Sequence, residues 1–144
     1  MKTIPAIMLI SLTLLIVACG KDKFETTPRL EIVDYSSKEI FPGDVLRIRV
    51  NYFDKEGDLD EAPFTSIIRR QNLFPAGIDL IDTFIYALPT FPPKDKGEIT
   101  FQLPYGSLKE SLVENDTLLF RFSVADREGH QSDTVISEIV VIHL

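Results

Sequence analysis

Apolar and polar residues alternate with period two along much of the chain. Between Val45 and Phe53, the apolar side chains Leu46, Ile48, Val50 and Tyr52 fall on one face, and Arg47, Arg49 and Asn51 on the other. Successive side chains of a strand point to opposite faces, so this spacing predicts a half-buried β-strand. Thr117–Ala125 has the cleanest pattern, with Leu118, Phe120, Phe122 and Val124 inward and Leu119, Arg121 and Ser123 outward. Further strands are expected at Arg29–Ser36, Phe64–Gln71, Asp82–Leu88, Glu98–Leu103 and Asp133–Ile142. Turn chemistry separates them: Phe41-Pro42-Gly43-Asp44, the acidic Asp54–Pro63, the proline-rich Pro89–Gly97 and Asp126–Ser132. Pro104–Asn115 is a longer connection with room for a helical turn at Leu108–Val113. Seven short strands and no long helix predict an all-β fold, a seven-stranded antiparallel sandwich. No internal repeat or low-complexity tract stands out.

The first twenty residues follow another rule. After Met1-Lys2, the run from Ile4 to Ala18 is almost wholly apolar. It is short of the roughly 20 residues of a membrane span and has the length and flank of a secretory signal core. It closes on Ile16-Val17-Ala18-Cys19-Gly20. Small and apolar residues ahead of a cysteine at this place resemble a bacterial lipobox, with Ile16 where leucine is commoner. The alternative is a plain signal peptide followed by an incidental cysteine. The lipobox resemblance implies cleavage after Ala18, diacylglyceryl transfer to the Cys19 sulfur and acylation of the new amino terminus by palmitate-like chains. One acyl chain binds a membrane marginally and two or more hold it, so such a protein stays anchored without a spanning helix.

The chain then divides into a removed signal peptide (1–18), a lipidated cysteine with a polar tether (19–28) and one β-domain (29–144). The tether Gly20–Pro28 reaches at most about 30 Å when extended. Cys19 is the only cysteine, which excludes an intrachain disulfide. The net charge is −7 and the pI about 4.8, which argues against the basic face that nucleic acid requires. The only histidines are His130 and His143, one of them next to the C-terminus. HExxH, GxSxG, a phosphate-cradling glycine loop and a dinucleotide fingerprint are all missing. The expectation is no catalytic residue, no enzyme and no obligatory cofactor.

Asn51–Asp60 (NYFDKEGDLD), Lys96-Gly97-Glu98-Ile99 and Val124–Ser132 (VADREGHQS) carry a resemblance over essentially the whole chain. They are similar to turns of small uncharacterised lipoproteins of the Bacteroidetes with an immunoglobulin-like or fibronectin-type-III-like domain behind the lipobox. The resemblance implies an immunoglobulin-like sandwich and brings no activity and no catalytic residues. It implies a cell-envelope location with a lipid anchor on the outer membrane, periplasmic or surface-exposed.

The acidic loops are the main candidate chemistry. Asp54, Glu56, Asp58 and Asp60 alternate along one loop, with Glu61 following. Alternating strand directions bring Asp126, Glu128 and Asp133 to the same pole, where the tether also enters. Calcium takes six to eight oxygens, and alternating carboxylates on a turning backbone can supply them. Gly57 is fourth from Asp54, unlike the EF-hand order. The simpler reading is a solvated acidic turn, since Asp and Gly stabilise turns without a metal. Asp116-Thr117-Leu118 and Asp133-Thr134-Val135 resemble a short O-glycosylation motif of exported Bacteroidetes proteins, which would modify Thr117 and Thr134. Both also serve as strand openings. Tyr35, Phe74 and Phe91 are candidate aromatics for stacking on a glycan, beside core or loop-anchoring roles. The function expected is a membrane-anchored, non-enzymatic binding or structural module with a protein or glycan partner on its loops or sheet edge. The alternative is a carbohydrate-binding accessory lipoprotein of a glycan-uptake system, which needs an exposed aromatic platform.

Overall fold

A computed structural model describes residues 26–72 and 81–144. Cys19 and Phe74 lie outside the described residues. The strands are β1 (Arg29–Tyr35), β2 (Glu39–Ile40), β3 (Val45–Phe53), β4 (Pro63–Arg70), β5 (Ile81–Ala87), β6 (Lys96–Pro104), β7 (Asp116–Val124), β8 (Val135–Ile136) and β9 (Val140–Ile142). A single helical turn, α1 (Tyr105–Leu108), follows β6. One sheet has the order β1-β3-β6, and the other β2-β9-β7-β4-β5 with β8 also on β7.

The expected inward faces are the buried ones. Leu46, Ile48 and Val50 of β3, and Leu118, Phe120 and Phe122 of β7, are fully buried. These two strands are central in their sheets, where burying one face requires strict alternation. The sheets meet through Phe101 of β6, whose ring centroid lies 5.1 Å from Phe122 and 5.9 Å from Phe120, both edge-on. Such edge-to-face pairs suit the quadrupole of aromatic rings.

Three expectations need correction. The described residues hold nine strands rather than seven, and β2 pairs parallel with β9, so the fold is not purely antiparallel. Two-residue strands are too short to leave an alternation to read. The expected last strand, Asp133–Ile142, is broken at Ser137. There the Ser137 N–H donates to the Phe120 carbonyl at 2.8 Å, and the Phe120 N–H donates to Ser137 Oγ at 2.9 Å. The helical turn lies earlier than Leu108–Val113. The Asp116 carboxylate accepts the N–H groups of Glu110 (2.8 Å) and Ser111 (3.0 Å), which draws the chain out of helix after Leu108.

One local repeat also emerges, too short to stand out in the sequence because it spans a single turn. Asp54-Lys55-Glu56-Gly57-Asp58 after β3 and Asp126-Arg127-Glu128-Gly129-His130 after β7 fold alike. In each, the glycine N–H donates to the first aspartate's carbonyl at 3.2 Å. The glycines need the left-handed region, with φ of 71° at Gly57 and 90° at Gly129.

Candidate functional site

The twin turns close one pole of the sandwich. Arg29, at the start of β1, pairs with Phe53 at the end of β3, so the preceding segment joins at this pole. Phe64 pairs with Val124, which sets the end of β7 beside the start of β4. Arg127 ties the two loops together through Asp60 at 2.6 Å, with Glu61 at 3.7 Å.

The acidic residues divide sharply by burial. Asp54 and Asp126 are buried at 2% and 4% exposure, which does not fit a solvated turn. Each caps its own loop. The Asp58 N–H donates to Asp54 Oδ2 at 3.0 Å, and the His130 N–H donates to Asp126 Oδ1 at 2.7 Å. Turn stabilisation by aspartate and glycine is therefore present, with the aspartates inside rather than outside. Glu56 and Glu128 are exposed. Partial loss of hydration, despite its exposure, then the carboxylates of Glu128 and Asp58, hold Glu56 above the usual carboxylate range. Burial holds Asp54 above it too, with the Asp58 carboxylate adding to the effect.

His130 is the residue that sequence reasoning passed over. Its Nδ1 lies 2.9 Å from Asp126 Oδ2, and this hydrogen bond raises its pKa. Glu56, Asp126 and His130 bring donor atoms within 4.8 Å of one another. The matching DKEGD and DREGH turns were the available signal, since the fifth residue of each returns to the first. Asp133 is exposed and has no recorded place in this group. Thr134 is exposed in the loop before β8, whereas Thr117 is half-buried inside β7 and paired with Val141.

A second feature lies between the open edges of the sheets. β5 and β6 have no further strand partner among the described residues. Between them runs a cleft of about 550 Å³, walled by Tyr52, Tyr86, Leu88, Phe91 and Phe101, with Lys94, Glu98 and Gln102 among its polar groups. Tyr52 packs over Gly97 so closely that a Cβ there would sit 2.5 Å from the phenol oxygen. Phe91 packs against Tyr52, with ring centroids 6.0 Å apart. Every residue of β5 is exposed. Phe84 and Tyr86, two apart on one face, set their rings 6.2 Å apart and 14° from parallel. Tyr86 then meets Phe101 edge-on, which links this surface pair to the core. Tyr35, by contrast, accepts the Glu138 N–H on its hydroxyl at 2.9 Å and carries Lys38 over its ring.

No family model matches the chain, and no curated protein matches it. Among solved structures, it is similar to a sporulation control protein from Bacillus subtilis at 8% identity and a TM-score of 0.48, over 82% of this chain and 50% of that one. It is also similar to a β-glucosidase from Listeria innocua in complex with gluconolactone, at 16% identity and a TM-score of 0.43, over 81% of this chain and 16% of that one. The chain spans half or less of the length of these structures.

Proposed function

We propose that the protein is an exported, lipid-anchored binding module of the bacterial cell envelope, without catalytic activity, whose immunoglobulin-like domain takes its ligand in the cleft between β5 and β6. The cleft carries this reading. It has the size, apolar walls and few polar groups of small-ligand sites. The immunoglobulin-like assignment rests on strand order. A three-stranded β1-β3-β6 sheet facing β9-β7-β4-β5 follows the A-B-E and G-F-C-C′ arrangement, with β2 as an added first-strand segment on β9. The anchor rests on Cys19 and the apolar run before it. The tether meets the domain at the acidic pole, which is then the membrane-proximal end.

The carbohydrate-binding alternative is favoured by one observation, the nearly parallel Phe84–Tyr86 pair on an exposed strand. Aromatic faces along one side of a strand give a sugar flat apolar surfaces to stack on, and Glu98 and Gln102 can meet its hydroxyls. Affinity electrophoresis of the full chain in gels containing single soluble polysaccharides tests it. Retardation by one polysaccharide is expected, with at least about a tenfold loss of affinity in Tyr86→Ala, the equivalent of about 1.4 kcal/mol. Equal retardation of Tyr86→Ala and the unaltered chain rejects the cleft as the site. Migration unaffected by any polysaccharide rejects the glycan reading and leaves other ligands for the cleft.

A further inference from the structure

We infer that the turn Asp54–Asp58 holds one hard divalent cation, calcium by its donor chemistry, between the carboxylates of Asp54 and Asp58. A run of acidic residues would not establish this alone. The decisive observation is that Asp54, 2% exposed, gives its Oδ2 to the Asp58 N–H and keeps its Oδ1 with no hydrogen-bond partner among the described residues. Asp58 Oδ1 is likewise shut off from solvent and unpartnered. A buried anionic oxygen demands a proton donor or a cation. Among the described residues, neither aspartate has a lysine or arginine bridge, and Arg127 is engaged by Asp60 and Glu61. Glu56 lies between them in sequence and adds a third carboxylate within electrostatic reach of Asp58. Asp126 and Glu128 on the twin turn deepen the negative field, since both bear on Glu56.

The donor set argues for calcium over a softer metal. His130, the histidine at this pole, commits its Nδ1 and its backbone N–H to Asp126. The Glu56–Asp126–His130 group therefore contains a pair that satisfies itself without an ion. Asp54 and Asp58 offer only oxygen, and calcium accepts carboxylates, carbonyls and water in a loose shell of six to eight. None of Asp54, Glu56 and Asp58 lines the cleft, although Gly57 packs against Lys94 at its rim, and the calcium and polysaccharide experiments read the two features by different signals.

Thermal unfolding of the full chain in detergent micelles, stripped with chelator and then given calcium, magnesium or zinc chloride singly, tests the inference. Millimolar calcium is expected to raise the melting temperature by roughly 5 °C or more. Asp58→Asn should lose that rise, yet melt higher than the unaltered chain in chelator, because the facing negative charges are gone. A variant that merely damaged the fold would melt lower. Asp60→Asn, whose carboxylate serves Arg127, should keep the calcium response. The inference is overturned by no calcium response, by a response retained in Asp58→Asn, or by a lower melting point of Asp58→Asn in chelator. A response to zinc alone that His130→Ala removes also overturns it and puts the ion on the Glu56–Asp126–His130 group.

Discussion

Phe122→Ala is expected to destabilise the domain by about 3–5 kcal/mol. Phe122 is fully buried, stacks on Phe64 at 5.5 Å and meets Phe101 edge-on at 5.1 Å. Its removal leaves a cavity where the two sheets meet, and neighbouring strands locked by their ladders cannot close it. The loss is a large share of the roughly 5–15 kcal/mol that holds an ordinary domain together. Arg121→Ala, one position along on the opposite face, should change stability much less. Urea midpoints of the two variants decide. A larger loss for Arg121→Ala would mean that the register of β7 is shifted by one residue.

Asp116→Ala is expected to be of similar severity, about 3–5 kcal/mol, for a different reason. Asp116 has no solvent exposure, and its carboxylate binds Arg70 Nη1 at 3.1 Å and Lys109 Nζ at 3.2 Å. It also accepts the N–H groups of Glu110 and Ser111 and the Asn72 amide at 2.6 Å. Deleting it leaves Arg70, itself only 5% exposed, with the Leu108 carbonyl at 3.0 Å and the half-exposed Glu110 carboxylate at 3.4 Å as its partners, beside unpaired backbone donors. The surface pair Arg49–Asp34 makes the contrast. Both partners are about half exposed, so solvent screens the pair and breaking it should change stability far less.

The same carboxylate gives acid sensitivity. Burial pushes the Asp116 pKa up, but the N–H groups of Glu110 and Ser111, with Lys109 and Arg70, outweigh it and leave the folded value lowered. A lowered folded pKa means that the stabilisation is complete above the unfolded value near 3.9 and fades as pH falls below it toward the folded value. Asp116→Asn, already neutral, should therefore lose less stability between pH 5 and pH 3 than the unaltered chain. Unfolding curves across that interval check it, and parallel losses in the two proteins would assign the acid sensitivity elsewhere.

The central strands were legible because each buries one face. β3 was placed at Val45–Phe53 from alternation alone, and β7 to within one residue. What escaped was structure that leaves no periodic trace. β2 is two residues long and is defined by its partner β9, distant in sequence. The break at Ser137 is made by a serine that exchanges hydrogen bonds with Phe120, which no local pattern announces. Asp116 looked like part of a strand-opening dipeptide, and its role as a buried hub depends on Arg70 and Lys109 arriving from elsewhere. At the acidic pole, the meeting of two loops was foreseeable from strand direction. The burial of Asp54 and Asp126 was not, because charge density along a sequence suggests solvent. The cleft lay beyond sequence reading altogether, since it exists only where the edges of two sheets stand apart.

In the proposed function the β-domain is held on a membrane through Cys19, and one measurement addresses that anchor directly. Cells expressing the unaltered chain or Cys19→Ser are grown with an alkyne fatty acid, and the labelled protein is followed through membrane and soluble fractions. The expected result is a labelled, membrane-bound protein whose mature amino terminus is Cys19, with label and membrane retention both lost in Cys19→Ser. Label that persists on Cys19→Ser, or an unlabelled mature protein beginning at another residue, would contradict the anchor and with it the cell-envelope role built on it.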